Sequence, residues 1–85
     1  MTIRYSKASV KYLATLDKKT RNRILKAIEG LSLNPPVGDI KPLQGYQDNR
    51  FRLRVGGYRV LYRVILGDVE ILLVLDIGSR GDIYK

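Results

Sequence analysis

Polar and apolar positions alternate strictly in Arg-Phe-Arg-Leu-Arg-Val, residues 50–55. A period of two belongs to an extended strand, whose successive side chains point to opposite faces. Arg50, Arg52 and Arg54 therefore share one face, and Phe51, Leu53 and Val55 share the other. Gly56-Gly57 comes next, and paired glycines supply the positive φ values that a primed hairpin turn needs. The return strand, 58–66, brings Arg59 and Arg63 back beside Tyr58 and Tyr62. Leu66-Gly67-Asp68-Val69 reads as a further two-residue turn. It leads to 69–77, a nearly unbroken apolar run suited to a central strand covered on both faces.

The first half of the chain has a different period. Thr2–Tyr5 is a short β-compatible segment with Ile3 and Tyr5 on one side, and Ser6 is placed to cap a helix. From Lys7 to Leu16 the apolar positions Val10, Leu13 and Leu16, with Ala14 nearby, follow helical spacing. Asp17 is the cap expected for a second helix reaching about Leu31. Its apolar stripe is Ile24, Leu25, Ala27, Ile28 and Leu31, and Lys18, Lys19, Arg21, Arg23 and Lys26 cover the solvent side. Gly30 marks the fraying end, and Asn34-Pro35-Pro36 stops the helix because neither proline can continue it. With almost no linker between them, the helices read as an antiparallel hairpin. A long connection holding Lys41, Leu43, Gly45 and Tyr46 then leads to the arginine strand, with Leu43 docked on the core.

At 85 residues the chain makes one domain, residues 1–85, with a single thin core. It has no cysteine, hence neither a disulfide framework nor a thiolate metal site, in keeping with a reducing cytoplasm. No apolar run approaches the ~20 residues of a membrane span, and no signal-peptide pattern opens the chain. Histidine is absent too, which removes imidazole acid–base chemistry and the commonest transition-metal ligand. Catalysis by this chain must use Arg, Lys, Tyr, a carboxylate or a hydroxyl. Sixteen basic against eight acidic residues leave a net charge of +8, which favours an anionic partner: nucleic acid first, then an acidic protein, then a membrane surface.

No carboxylate interrupts the run from Arg50 to Arg63, so the hairpin presents Arg50, Arg52, Arg54, Arg59 and Arg63 as an array without internal counterions. Guanidinium forks suit phosphate oxygens and stay ionised at any physiological pH. Tyr58 and Tyr62 alternate with these arginines and are expected to pack against the helices. The tail that follows, Gly78-Ser79-Arg80-Gly81-Asp82-Ile83-Tyr84-Lys85, carries one more arginine and a tyrosine on a glycine-bracketed segment.

The order of Leu43-Gln44-Gly45, then Gly57-Tyr58-Arg59-Val60-Leu61-Tyr62, then Ile77-Gly78-Ser79-Arg80 and a terminal Ile83-Tyr84 resembles the RelE/ParE superfamily of toxin–antitoxin toxins over essentially the whole chain. The resemblance implies an α+β, RelE-like fold: an N-terminal helical hairpin packed on a small twisted antiparallel β-sheet. Its RelE branch cleaves mRNA in the ribosomal A site, and its ParE branch inhibits DNA gyrase.

Carried over position by position, the resemblance implies a catalytic set of Arg50, Arg52, Arg59, Arg80 and Tyr84, with Arg54, Arg63 and Lys41 in RNA contact. The paired Arg80 and Tyr84 point to the RelE branch. The chain departs from many relatives in carrying Ser79 where they have histidine, so whatever that histidine does is missing here. The implied reaction is attack by the RNA 2′-hydroxyl on the adjacent phosphate, with no metal or other cofactor. The implied partners are the ribosome and mRNA, and an acidic, partly disordered antitoxin that could form a hetero-oligomer with the toxin. Two other readings are a ParE-type gyrase inhibitor and a catalytically inactive basic module that binds nucleic acid or an antitoxin.

Overall fold

The computed structural model describes residues 1–45 and 49–79. In chain order the elements are β1 (Thr2–Tyr5), α1 (Lys7–Ala14), α2 (Lys18–Glu29) with a 3-10 turn at Gly30–Ser32, β2 (Asp39–Pro42), β3 (Arg50–Val55), β4 (Tyr58–Ile65) and β5 (Ile71–Ser79). The five strands form one sheet in the order β1-β5-β4-β3-β2. Adjacent strands are antiparallel except β1, which runs parallel to β5. The sheet is therefore mixed, not wholly antiparallel.

The helices also differ from the expected N-terminal hairpin. A sheet strand precedes them, α1 lies chiefly on β5, and α2 leans on β3. Both caps act as the sequence indicates. The Ser6 hydroxyl accepts from the Ser9 amide at 3.1 Å, and the Asp17 carboxylate accepts from the Thr20 amide at 3.2 Å. That capping, the hydrogen bond to Thr20 foremost, holds the Asp17 carboxyl below its ordinary pKa. Helix α1 ends at Ala14, short of Leu16, and Arg21 reaches back to its end: Nε donates to the Leu13 carbonyl at 3.2 Å, which also accepts from the Leu16 amide, and Nη2 donates to the Leu16 carbonyl at 3.0 Å. A residue expected on the solvent side of α2 thus ties the two helices together.

The core consists of Leu13, Ile24, Ile28, Leu31, Leu53, Val55, Val60, Tyr62, Leu72, Val74 and Ile77. Val10, expected among them, is 57% exposed. Its place on the buried face goes to Ser9, one turn before Leu13. The Ser9 hydroxyl lies 2.9 Å from the Ser6 hydroxyl and donates to the Val74 carbonyl at 3.4 Å, which satisfies the polar group out of water.

Strand β2 occupies part of what the sequence reads as a connection. Pro42 fits there because β2 is an edge strand and loses no ladder bond on its open side. The β4–β5 connection is longer than a two-residue turn, since β4 ends at Ile65 and β5 begins at Ile71; Leu66 and Val69 are exposed within it. Strand β5 is flanked by β1 and β4, yet only one of its faces is buried. Leu72, Val74 and Ile77 enter the core, while Ile71 and Leu73 remain half-buried on the other side. The chain turns between β3 and β4 through Gly56, whose φ is +59°; left-handed backbone at the first position alone is the pattern of a II′ turn.

Candidate nucleic-acid interface

Pairing β3 with β4 fixes the arginine face. Arg50 stands opposite Arg63 and Arg54 opposite Arg59, with Leu61 across from Arg52. Residues directly opposite in a ladder share a face with Cβ atoms about 5 Å apart, so the array forms rows of like charge across the hairpin. Strand β2 widens it: Lys41 stands opposite Arg52. Strand β1 widens it on the other side, because Arg4 pairs with Leu73, which in turn faces Arg63. Arg4 escaped the sequence reading, as nothing local signals the parallel pairing that brings β1 to this sheet. Leu61 is buried within the charged face, where the aliphatic stems of the neighbouring arginines can cover it.

The array does have a counterion. Asp39 of β2 accepts from Arg52 Nη1 at 3.2 Å, and the Asp39 backbone carbonyl accepts from the same nitrogen at 3.1 Å. The Arg52 side chain is only 14% exposed, against 55% for Asp39. Part of the Arg52 guanidinium is therefore already committed, which corrects the expectation of an array without internal carboxylates. A second carboxylate, Asp76, stands across from Leu61 and accepts from the Ile77 amide at 2.9 Å.

Arg59 folds back on the hairpin tip: Nη1 donates to the Tyr58 carbonyl at 3.1 Å and to the Gly56 carbonyl at 3.4 Å. The group is preorganised by its own turn. On the opposite face the tyrosines pack as expected. Tyr62 is buried and stacks on Phe51 at 5.6 Å between ring centroids, and Tyr58 meets Tyr12 edge-on at 6.5 Å. Burial pushes the Tyr62 phenol up to about 12, so it cannot serve as a base near neutral pH.

Strand β5 ends at the tip of the same hairpin. Gly78 stands opposite Arg59 and presents no side chain against it, and Ser79 stands opposite Tyr58. Arg80 and Tyr84 lie outside the described residues. Arg50, Arg52, Arg54, Arg59, Arg63 and Lys41 are together on one face. Among the described residues, no three of His, Cys, Asp and Glu come together as a metal-binding group, and no helix is long and apolar enough to cross a membrane.

Comparison with known proteins fits this geometry. The family model described as ParE toxin of type II toxin–antitoxin system, parDE, matches residues 3–84. The chain assigned as toxin RelE1 of Methanocaldococcus jannaschii is 35% identical over 82 residues, covering 93% of this chain and 89% of the relative. Among solved structures, a chain of the archaeal RelE–RelB complex from Pyrococcus horikoshii superposes with a TM-score of 0.78 at 30% identity, covering 95% of this chain and 96% of that one. The isolated Escherichia coli RelE toxin superposes with a TM-score of 0.69 at 26% identity, covering 98% and 89% respectively. A basic α+β chain with this sheet order and these relatives belongs to the RelE/ParE family, the toxins of type II toxin–antitoxin systems.

Proposed function

We propose that this toxin is a metal-independent endoribonuclease that cuts mRNA on the ribosome, arrests translation in the cytoplasm, and is neutralised by a cognate antitoxin. The observation that carries this reading is the single face on which Arg50, Arg54, Arg59 and Arg63 stand, with the end of β5 delivered beside Arg59. The reaction forms a bond from the RNA 2′-oxygen to the adjacent phosphorus and breaks the bond from phosphorus to the 5′-oxygen. It leaves a 2′,3′-cyclic phosphate and a 5′-hydroxyl. Tyr84, as the phenolate, takes the 2′-hydroxyl proton, and the leaving 5′-oxygen takes a proton from water. A phenol with a pKa near ~10 is a weak base at neutral pH, and neighbouring guanidinium groups favour its ionised form. Arg80 contributes charge to the dianionic phosphorane, since a guanidinium with a pKa above ~12 is a reluctant acid. Arg50, Arg52 and Arg59 clamp the scissile and flanking phosphates, Arg52 with the part of its fork that Asp39 leaves available. Arg54, Arg63 and Lys41 hold the strand on either side.

A weak base and a reluctant acid place much of the rate in geometry, and holding reactants in line is worth roughly 7–11 kcal/mol. A ribosome that fixes the codon supplies that alignment, so naked RNA is expected to be a poor substrate. The antitoxin is an acidic segment that neutralises the net charge of +8; both archaeal and bacterial structural relatives include RelE–RelB complexes. The test is a brief induction in cells followed by mapping of mRNA 5′ ends. Cuts at a fixed position within codons, lost in Tyr84→Phe, support the reading.

A gyrase-directed toxin is the second reading, favoured by the ParE description of the matching family model. It predicts gyrase-trapped DNA breaks and a DNA damage response with mRNA left intact, so the same cultures decide between the two.

A further inference from the structure

The charge around the hairpin tip does not come from the sheet alone. Helix α2 contributes Arg23, whose guanidinium lies so close over Gly56 that a Cβ added there would collide with its Nη2. Gly56 is held as glycine by its left-handed backbone, and the exposed Arg23 side chain lies in the space that a Cβ would enter. Arg59 reaches the same residue from the arginine face, with Nη1 3.4 Å from the Gly56 carbonyl oxygen. Arg54 stands directly opposite Arg59 in the ladder. Two guanidinium groups, from α2 and β4, therefore reach this turn, and β3 adds Arg54 at the ladder position beside it. The side chains of Arg23 and Arg54 make no hydrogen bond or ion pair with another described residue, and both residues are exposed. A Cβ at Gly57 would meet nothing within 4 Å, so the space over the tip is open.

Like charges placed directly opposite each other destabilise a strand pair, and a third cation adds to the repulsion. An anion with several acceptor oxygens relieves it. A phosphodiester fits better than a carboxylate, since its oxygens are disposed tetrahedrally and can take forks arriving in different planes from different elements, whereas both carboxylate oxygens lie in one plane. We infer that Arg23, Arg54 and Arg59 form a phosphate subsite at the tip, through which a single RNA strand leaves the sheet face and passes towards α2. This rests on the RNA reading of the arginine face and adds to it a contact on a helix, at a position where the sequence suggests only solvent-facing charge. The row from Arg50 to Arg54 spans about 13 Å at ~3.3 Å per strand residue, and Arg23 extends it past the end of the ladder.

The test uses the full chain and a short RNA with 2′-O-methyl sugars, which cannot supply the attacking hydroxyl. Affinity is measured by fluorescence anisotropy between about 50 and 200 mM salt. Each phosphate neutralised on a single strand contributes a slope of about −0.7 to log K against log salt. Arg23→Gln is expected to reduce the steepness by ~0.7 and to weaken binding about fivefold at ~0.1 M salt, with thermal stability unchanged. Arg23→Lys should restore the slope, which a purely structural role for the side chain would not require. A wild-type slope in Arg23→Gln, with a reduced one in Arg54→Gln, overturns the subsite and leaves the RNA reading standing. No binding by the wild type overturns both. Dependence on Arg23 for a polyglutamate peptide but not for the RNA also overturns it, and makes the tip a protein contact.

Discussion

The β3–β4 hairpin has one backbone and two opposite faces. On one, Leu53, Val55, Val60 and Tyr62 are closed against the helices; on the other, Arg50, Arg54, Arg59 and Arg63 stand in like-charged rows. The same cross-strand spacing favours the first set and works against Arg54 opposite Arg59 in the second, because apolar neighbours attract when water leaves and guanidinium neighbours repel. The apolar face holds the hairpin together, and the charged face is tolerated because the other side is well packed. A site for an anion is then a place where the fold is locally worse than it could be, and substitutions on the two faces should separate stability from activity.

The largest effect is expected on the packed side. Leu53 is fully buried and touches Gly38, which has no side chain to fill a void there. Leu53→Ala should cost about 2–5 kcal/mol, read as a fall in the denaturant midpoint, and should lower activity only through loss of folded protein. Close behind is Arg59→Gln. Removing one preorganised donor from a developing phosphorane costs about 2.7–4 kcal/mol, so cleavage should fall by roughly 10²–10³ while the melting temperature holds. A fall in both together would mean that Arg59 is structural.

Arg54→Glu sharpens the contrast further. It replaces a repulsive cross-strand pair with an attractive one, so thermal unfolding should show a gain of roughly 0.2–1 kcal/mol as RNA binding weakens. Loss of stability instead would mean that the array is not under electrostatic strain. The smallest effect concerns the cap of α2. The Asp17 carboxyl titrates below its ordinary value when folded, so its contribution is complete above the unfolded-state pKa, near ~4, and disappears as pH falls through the lower folded value. The Thr20 amide chemical shift should follow that titration, and Asp17→Asn should abolish it.

How much of this was legible in the sequence depends on how local each signal is. The alternation from Arg50 to Val55, the caps at Ser6 and Asp17 and the glycine turn are encoded within a few residues, and each is found where the sequence places it. Strand β1 was legible as a strand, but its parallel register with β5 joins residues almost seventy positions apart, for which a single chain carries no local pattern. That register brings Arg4 to the array. Strand β2 was obscured by Lys41 and by Pro42, the proline being tolerated because the strand lies at an edge. Val10 misled because helical periodicity counts apolar residues, whereas the buried position went to Ser9 once its hydroxyl found Ser6 and Val74. The Asp39 counterion was missed for the same reason as β2. Arg23 offered no signal at all, since its approach to Gly56 exists only after α2 lies against the hairpin.

In the proposed reaction the arginine face and the C-terminal phenol act on one RNA phosphate. The most direct measurement supplies purified toxin to a translating ribosome system with end-labelled mRNA and determines the chemistry of the new 3′ ends, for wild type and Tyr84→Phe. Wild type is expected to leave 2′,3′-cyclic phosphate ends, formed only when ribosomes are present, and the variant to lose cleavage by orders of magnitude. Equal cutting by both proteins, or 3′-hydroxyl ends, would contradict the proposed reaction.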